Sequence, residues 1–298
     1  MKNRFSISRI ARKVNIFTLL TYAVLIFYVV ILVVQLAWGF ISSFKDTWDF
    51  YDNPLSLPQE WMFSNYFDAL KAFSYRIEYG GGFKTITFFD MAANTVLYAL
   101  GSAFMSTIMP CLTAYVVTKF KFKILKVYYV IVIVAMALPI VGNLPAELKM
   151  ATDLGLYDNI WGIWLMKGYF LGMYFLIFNA AFMTIPDSFI EAAKIDGAGN
   201  FLVLFKIMLP LVKTTFFTIL LIKFIEFWND FQTPLLFFPN KPTLSTGLYY
   251  FTFSTEYDLS TPPMQLTGSM LVFLPVFILF VFFHKRLMGN LTLGGIKE

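Results

Sequence analysis

Five stretches of this chain carry no charged side chain. None lies between Lys13 and Lys45, between Asp90 and Lys119, between Lys126 and Glu147, between Lys167 and Asp187, or between Asp258 and His284. A helix rises about 1.5 Å per residue, so about 20 apolar residues cross a hydrocarbon core of roughly 30 Å. Only a helix or a closed barrel satisfies its backbone in lipid, and runs this long do not alternate as barrel strands do. The runs are read as membrane helices. Composition agrees: 14% of the 298 residues are charged and 58% hydrophobic, against roughly a quarter charged in a soluble domain.

Charge placement sets the topology. The net charge of +5 is no mark of a nucleic-acid partner, because the basic residues are grouped. Lys2, Arg4, Arg9, Arg12 and Lys13 lie together without an acid, as do Lys119, Lys121, Lys123 and Lys126. The 45–90 segment has four basic residues against seven acids. Basic segments mark the cytoplasmic side, so the N-terminus is expected inside. The apolar run after Lys13 is too long for a cleavable signal and reads as a retained anchor. Six spans fit, at roughly 16–42, 90–117, 127–146, 161–184, 208–229 and 264–283. The expected organisation is a cytoplasmic tail (1–15), an all-α transmembrane domain (16–284) and a cytoplasmic C-terminal tail (285–298). Loops 45–89, 147–160 and 230–263 face outward; 119–126 and 185–207 face inward.

Pro139, Gly142 and Pro145 in the third span and Pro275 in the sixth predict bent helices that face protein or a cavity. Gly168 and Gly172 give a small-xxx-small spacing on the fourth span, which permits close helix contact. Gly80-Gly81-Gly82 lacks the Gly-Lys-Ser/Thr ending of a phosphate loop and reads as a flexible turn. Cys111 has no second cysteine to pair with and reads as a small buried side chain. His284 is the only histidine, which excludes a multi-histidine metal site within the chain.

The inward segment PDSFIEAAKIDGAGNFLVLFKIMLPL, Pro186 to Leu211, has the strongest pattern. Ser188 and Glu191 have capping-box spacing. Phe189, Ala192 and Ala193 share one helical face. Gly197 and Gly199 stop that helix. Phe201, Leu204, Phe205 and Met208 then rebuild an amphipathic one, and Pro210 leads into the fifth span. A helix, a tight turn and a second helix make a knob at the membrane surface. Small Ala192 and Ala193 admit another backbone, and Glu191, Lys194 and Asp196 supply charges at its rim. On the pattern alone, an interfacial helical hairpin with no partner fits equally well.

The string EAAKIDGA followed by Ile207, Leu209 and Pro210 resembles the EAA loop of ABC importer permeases. TAYVVTKFKF (113–122), LGLYDNIWG (154–162) and FWNDFQTPL (227–235) resemble segments of the carbohydrate branch of that family. NLTLGGIKE (290–298) resembles the tail of the six-helix subunit of maltose-type importers. The likeness runs from about residue 94 to the end. It implies a type I importer permease fold (MetI-like) in the cytoplasmic membrane and no enzymatic activity in this chain. ATP and Mg would be held by two partner ATP-binding subunits. A second permease subunit and an extracytoplasmic solute-binding protein would complete the assembly in the lipid. Glu191, Ala192, Ala193, Asp196, Gly197, Ile207, Leu209 and Pro210 would form the coupling element, and Gly294, Gly295 and Lys297 would dock the tail. Thr214, Asn290 and Glu298 depart from the family pattern.

Within the fifth span, Lys223 and Glu226 lie at i, i+3, followed by Asn229 and Asp230. Ionisable groups in a span are costly and face a partner or a wet cavity. Two readings stand: an intrahelical ion pair near the interface, or a solute path lined by Glu226, Asn229 and Asp230, with Trp228 or Phe231 as a stacking face. An ion-coupled transporter would show inverted halves, and none is visible.

Overall fold

The computed structural model of the chain describes residues 15–79, 81–138, 142–254 and 257–288. Helix α1 (Ile16–Ser42) leads into α2 (Thr47–Asp52), α3 (Ser64–Ala72) and the antiparallel hairpin β1 (Tyr75–Tyr79) and β2 (Gly82–Ile86), paired from Tyr75↔Ile86 to Tyr79↔Gly82. The long α4 (Phe88–Lys119), α5 (Lys123–Ala137), α6 (Leu144–Asp153), α7 (Ile160–Met166), α8 (Met173–Met183) and α9 (Ser188–Ile195) follow. Then come α10 (Asn200–Val203), a π-turn (Leu204–Met208), α11 (Leu209–Leu211) and α12 (Lys213–Asn229). The chain continues through α13 (Gln232–Phe237), α14 (Leu244–Thr252), α15 (Tyr257–Ser260) and α16 (Pro262–Met288). The all-α expectation therefore holds apart from one hairpin.

Helix α4 is the axis of the bundle, with α12 and α8 packed along it. A capping box starts it: Thr87 Oγ1 accepts from the Asp90 N–H, and the Asp90 carboxylate accepts from the Thr87 N–H. Two apolar cores lie along α4. One joins Tyr98, Ala99 and Ala103 to Phe224, Phe227, Trp228 and Phe238, and extends into the outward segment through Phe73, Ile77 and Ile86. The other joins Cys111, Ala114 and Tyr115 to Phe175, Phe178, Phe182, Ala193 and Met208. Cys111 is buried, as expected.

Three helices among the described residues are long and apolar enough to cross a bilayer, Ile16–Ser42, Phe88–Lys119 and Pro262–Phe283. Two bent pairs bring the number to five. The first, second and sixth expected spans thus appear nearly as read, and α16 runs on through Pro275. The third does not form one full span: α5 stops at Ala137, and Pro145 opens α6 instead of bending a continuous helix. Fifteen residues rise only about 22 Å. The fourth span is divided at 167–172 into α7 and α8. Gly168 and Gly172 therefore share no helix face. Gly168 packs against Met105 and Met109 of α4, and Gly172 caps α8 at φ 115°.

The 45–89 segment, expected to face outward, is folded rather than loose. Phe73 stacks on Phe251 at 4.8 Å and Tyr75 on Tyr250 at 4.4 Å, which ties α3 and the hairpin to α14. Gly81, at φ 81°, makes the hairpin turn.

Candidate functional site

The 186–211 segment folds as helix, turn, helix. Helix α9 leaves α8 at 70°, and the 200–211 segment meets α12 at 77°. The turn between them is a Schellman motif: the Ala198 N–H donates to Ala193 O at 2.9 Å and the Gly197 N–H to Lys194 O at 3.0 Å. Gly197 supplies the left-handed residue at φ 80°. Gly199 does not share that role. It is extended, at φ −70° and ψ 161°, and precedes α10.

Three local expectations are corrected. Ser188 is not the N-cap of α9. Asp187 holds that position, and its carboxylate is turned to Lys119 at the end of α4 instead of capping the helix. Lys119 Nζ donates to Asp187 Oδ1 at 2.8 Å and to Ile185 O at 2.6 Å, with only 4% of its side chain exposed. The hydrogen bond from Lys119, followed by its charge, holds the Asp187 carboxyl below the usual carboxylate range. Second, Ala193 is buried in the inner core while Ala192 is exposed, so only Ala192 offers a bare methyl outward. Third, the expected face is only half right: Leu204 and Met208 are buried as expected, but Phe201 is 81% exposed and Phe205 55%, and Val203 is buried in their place. A π-turn at 204–208 carries Leu204 and Met208 on the buried side. Pro210 has no N–H to give to residue 206 and its ring crowds that carbonyl, and the wider turn accommodates both.

Among the sequence-chosen coupling residues, Glu191, Ala192, Asp196 and Gly197 lie exposed on the knob. Ile207 and Leu209 are half-buried on the segment beneath it, and Pro210 is exposed two residues before the bend at Val212. Gly294, Gly295 and Lys297 lie outside the described residues.

The second candidate site surrounds the C-terminal end of α12. Lys223 Nζ meets Glu226 Oε2 at 2.8 Å and lies over the Tyr174 ring at 4.9 Å. The Glu226 side chain is 53% exposed. Asp230 is held from two sides, accepting from Tyr98 OH at 2.7 Å and from the Thr233 N–H at 3.0 Å, so it fastens the α12–α13 junction. Asn229 is exposed and donates to Ile225 O at 2.8 Å. Trp228 offers no stacking face: it is 3% exposed, and its Nε1 donates to Val272 O of α16 at 3.2 Å. Phe231 is already stacked on Tyr249 at 5.2 Å. The intrahelical ion pair is thus present, and the exposed carboxylate of Glu226 leaves the path reading open beside it.

Lys167 was not singled out by the sequence reading. It sits where α7 ends, donates to Thr233 Oγ1 at 3.1 Å and lies 5.7 Å from the centre of the Phe227 ring. A lone lysine between apolar runs was the available signal, since an intramembrane charge marks a partner or a cavity.

Residues 106–292 match the family described as binding-protein-dependent transport system inner membrane component, over more than half of the chain. Among similar proteins, the diacetylchitobiose uptake system permease protein of Streptomyces coelicolor is 24% identical over 94% of this chain and 89% of its own length. The arabinooligosaccharides transport system permease protein of Bacillus subtilis is 26% identical over 70% of this chain and 74% of its own. The sn-glycerol-3-phosphate transport system permease protein of Rhizobium meliloti is 29% identical over 73% and 75%. A chain from the crystal structure of a bacterial ABC transporter involved in the import of the acidic polysaccharide alginate superposes with a TM-score of 0.72 at 24% identity, over 92% of this chain and 98% of that one. That likeness establishes the fold. In this family ATP hydrolysis belongs to a separate subunit, and solute arrives on a binding protein. With its knob set between two bends and its apolar helices, this chain belongs to the binding-protein-dependent transport system inner membrane components, as a permease subunit of an ABC importer.

Proposed function

We propose that this subunit serves an importer of sugars or oligosaccharides, joined by a second permease subunit and by two ATP-binding subunits that hold ATP and Mg. The knob carries the reading. Glu191, Ala192, Asp196 and Gly197 are exposed on a short helix locked by a Schellman turn and flanked by bends of 70° and 77°. Such an element is stiff enough to transmit a push and small enough to enter a cleft. Its motion would reorient the bundle between inward- and outward-open states. A cytoplasmic position for both termini is supported by the basic residues of the first 15 positions and by Lys285 and Arg286 after the last span. The solute class is supported by relatives named for diacetylchitobiose and arabinooligosaccharides. Glu226, half-exposed beside Lys223, is the group of this subunit best placed to meet a solute hydroxyl.

The test is purification with the partners, followed by binding-protein-dependent ATPase assays over a panel of neutral oligosaccharides, uronate oligosaccharides and sn-glycerol 3-phosphate. Stimulation by a glycan supports the reading; stimulation by glycerol phosphate alone removes the sugar assignment. Gly197→Asp is expected to insert normally and to lose the ATPase subunit. A fully coupled complex from that variant would end the docking assignment.

A further inference from the structure

The segment that follows α1 is built with its polarity reversed. Lys45 is almost completely enclosed, donating to Asn53 O and to Ser56 Oγ at 3.2 Å. Asp49 is buried and accepts from the Gln59 N–H at 3.0 Å. The apolar side chains point the other way: Trp48 is 68% exposed, and Tyr51, on the same face at i+3, 60%. Leu55 is exposed further still, and Leu57 is exposed about as far as Trp48. In water, enclosing a lysine and an aspartate while leaving tryptophan and leucine outside is the unfavourable arrangement.

The height of this segment explains it. Trp38, one turn before the end of α1, packs on Phe50 at 6.1 Å and donates from Nε1 to Pro54 O at 2.7 Å. Helix α2 therefore folds back beside the last turn of α1 rather than rising away from it. On the neighbouring side, Phe44 meets Phe40 at 5.3 Å, Trp61 at 5.6 Å and Phe63 at 5.2 Å. The 27 residues of α1 rise about 40 Å, more than the roughly 30 Å of hydrocarbon, so its outer end stands among the headgroups. Tryptophan and tyrosine favour that zone because one end of each ring is apolar and the other polar.

We propose that residues 44–63 form a collar seated in the headgroup layer of the outer leaflet, with Trp48, Tyr51, Leu55 and Leu57 turned into lipid. The partner is a zwitterionic phospholipid surface. Asp46, Asp52 and Glu60 are exposed on the collar, and its one lysine is enclosed, so ethanolamine headgroups complement it and phosphatidylglycerol does not. The collar anchors α1, whose exposed length touches the bundle mainly near Gly39 and Ser42, against α16. The inference rests on α1 spanning the bilayer, whichever solute is carried.

The test uses the complete transporter in phosphatidylethanolamine nanodiscs, in a Cys111→Ala background. Spin labels are placed at Leu55→Cys and Leu57→Cys, with Val34→Cys on α1 as the lipid control. The labels should relax more with oxygen than with a water-soluble nickel chelate, at a depth of about 5–10 Å below the headgroups. A nickel preference means water and overturns the collar. Shielding from both reagents means protein cover and also overturns it. In phosphatidylglycerol nanodiscs the oxygen preference should fall, and an unchanged or larger one would reject the ethanolamine assignment. A nickel preference at the Val34 control as well would instead overturn the spanning of α1.

Discussion

Replacing Gly197 by alanine tests the knob most directly, because two glycines two residues apart should respond differently. An added Cβ at Gly197 meets nothing within 4 Å, so no clash contributes. The whole effect comes from the backbone: φ is 80°, and a residue with a Cβ loses about 1–2 kcal/mol in the left-handed region. That is a factor of about 5–30 in an opening equilibrium. Gly199→Ala also meets nothing within 4 Å, but its φ of −70° suits any residue, and the change should stay within about 0.5 kcal/mol. The assay is amide hydrogen exchange over residues 188–203 in the reconstituted complex, alongside retention of the ATPase subunit on purification. Gly197→Ala should speed exchange around 194–198 by that factor and weaken retention. Gly197→Asn should recover part of it, since asparagine tolerates this geometry. Equal effects from the 197 and 199 variants would show that the turn is not locked as described.

Three further outcomes follow from the geometry. Because Lys119 lowers the Asp187 carboxyl below its ordinary range, that contact helps hold the knob above the ordinary range and releases it as pH falls through the lowered value; exchange at 185–195 should rise on acidification below the ordinary carboxylate range, and Asp187→Asn should abolish the pH dependence. Trp228→Phe removes the hydrogen bond to Val272 O and should cost about 0.5–1.5 kcal/mol in thermal unfolding while leaving solute-stimulated ATPase kinetics unchanged; a selective loss of solute response would return Trp228 to the path. Glu226→Gln should alter transport kinetics while assembly stays intact, and unchanged uptake would leave the carboxylate only its ion pair with Lys223.

Charge-free length is the best-preserved signal in the sequence. The run after Lys13 appears as Ile16–Ser42, and that after Asp90 continues to Lys119. Breaks were harder to read. Proline suggests a bend or an end with equal force: Pro145 opens a new helix, and Pro139 lies outside the described residues; in the 161–184 run, Lys167, Gly168 and Gly172 were the signals of the break between α7 and α8. In the knob, the EAA string placed the exposed residues, but spacing alone misplaced the cap and the buried face. Asp187 chose Lys119, a partner 68 positions away, and Val203 took the buried place expected for Phe201 and Phe205 beside Leu204 and Met208. Trp228 illustrates the limit at the second site: which way an aromatic points on a membrane helix depends on α16, which follows it by more than thirty residues. The hairpin was within reach, because YRIEY and GFKTI flank a glycine turn.

The clasp between Lys119 and Asp187 makes α4 a lever. Its inner end is fastened to the knob, and its outer end emerges from the β2 strand beneath the hairpin. Thirty-two residues span about 48 Å, so a tilt of about 5° at the inner end moves the outer end about 4 Å. A small displacement of the knob would thus reach the opposite end of α4, which is continuous through Pro110, without relay by the broken helices around it.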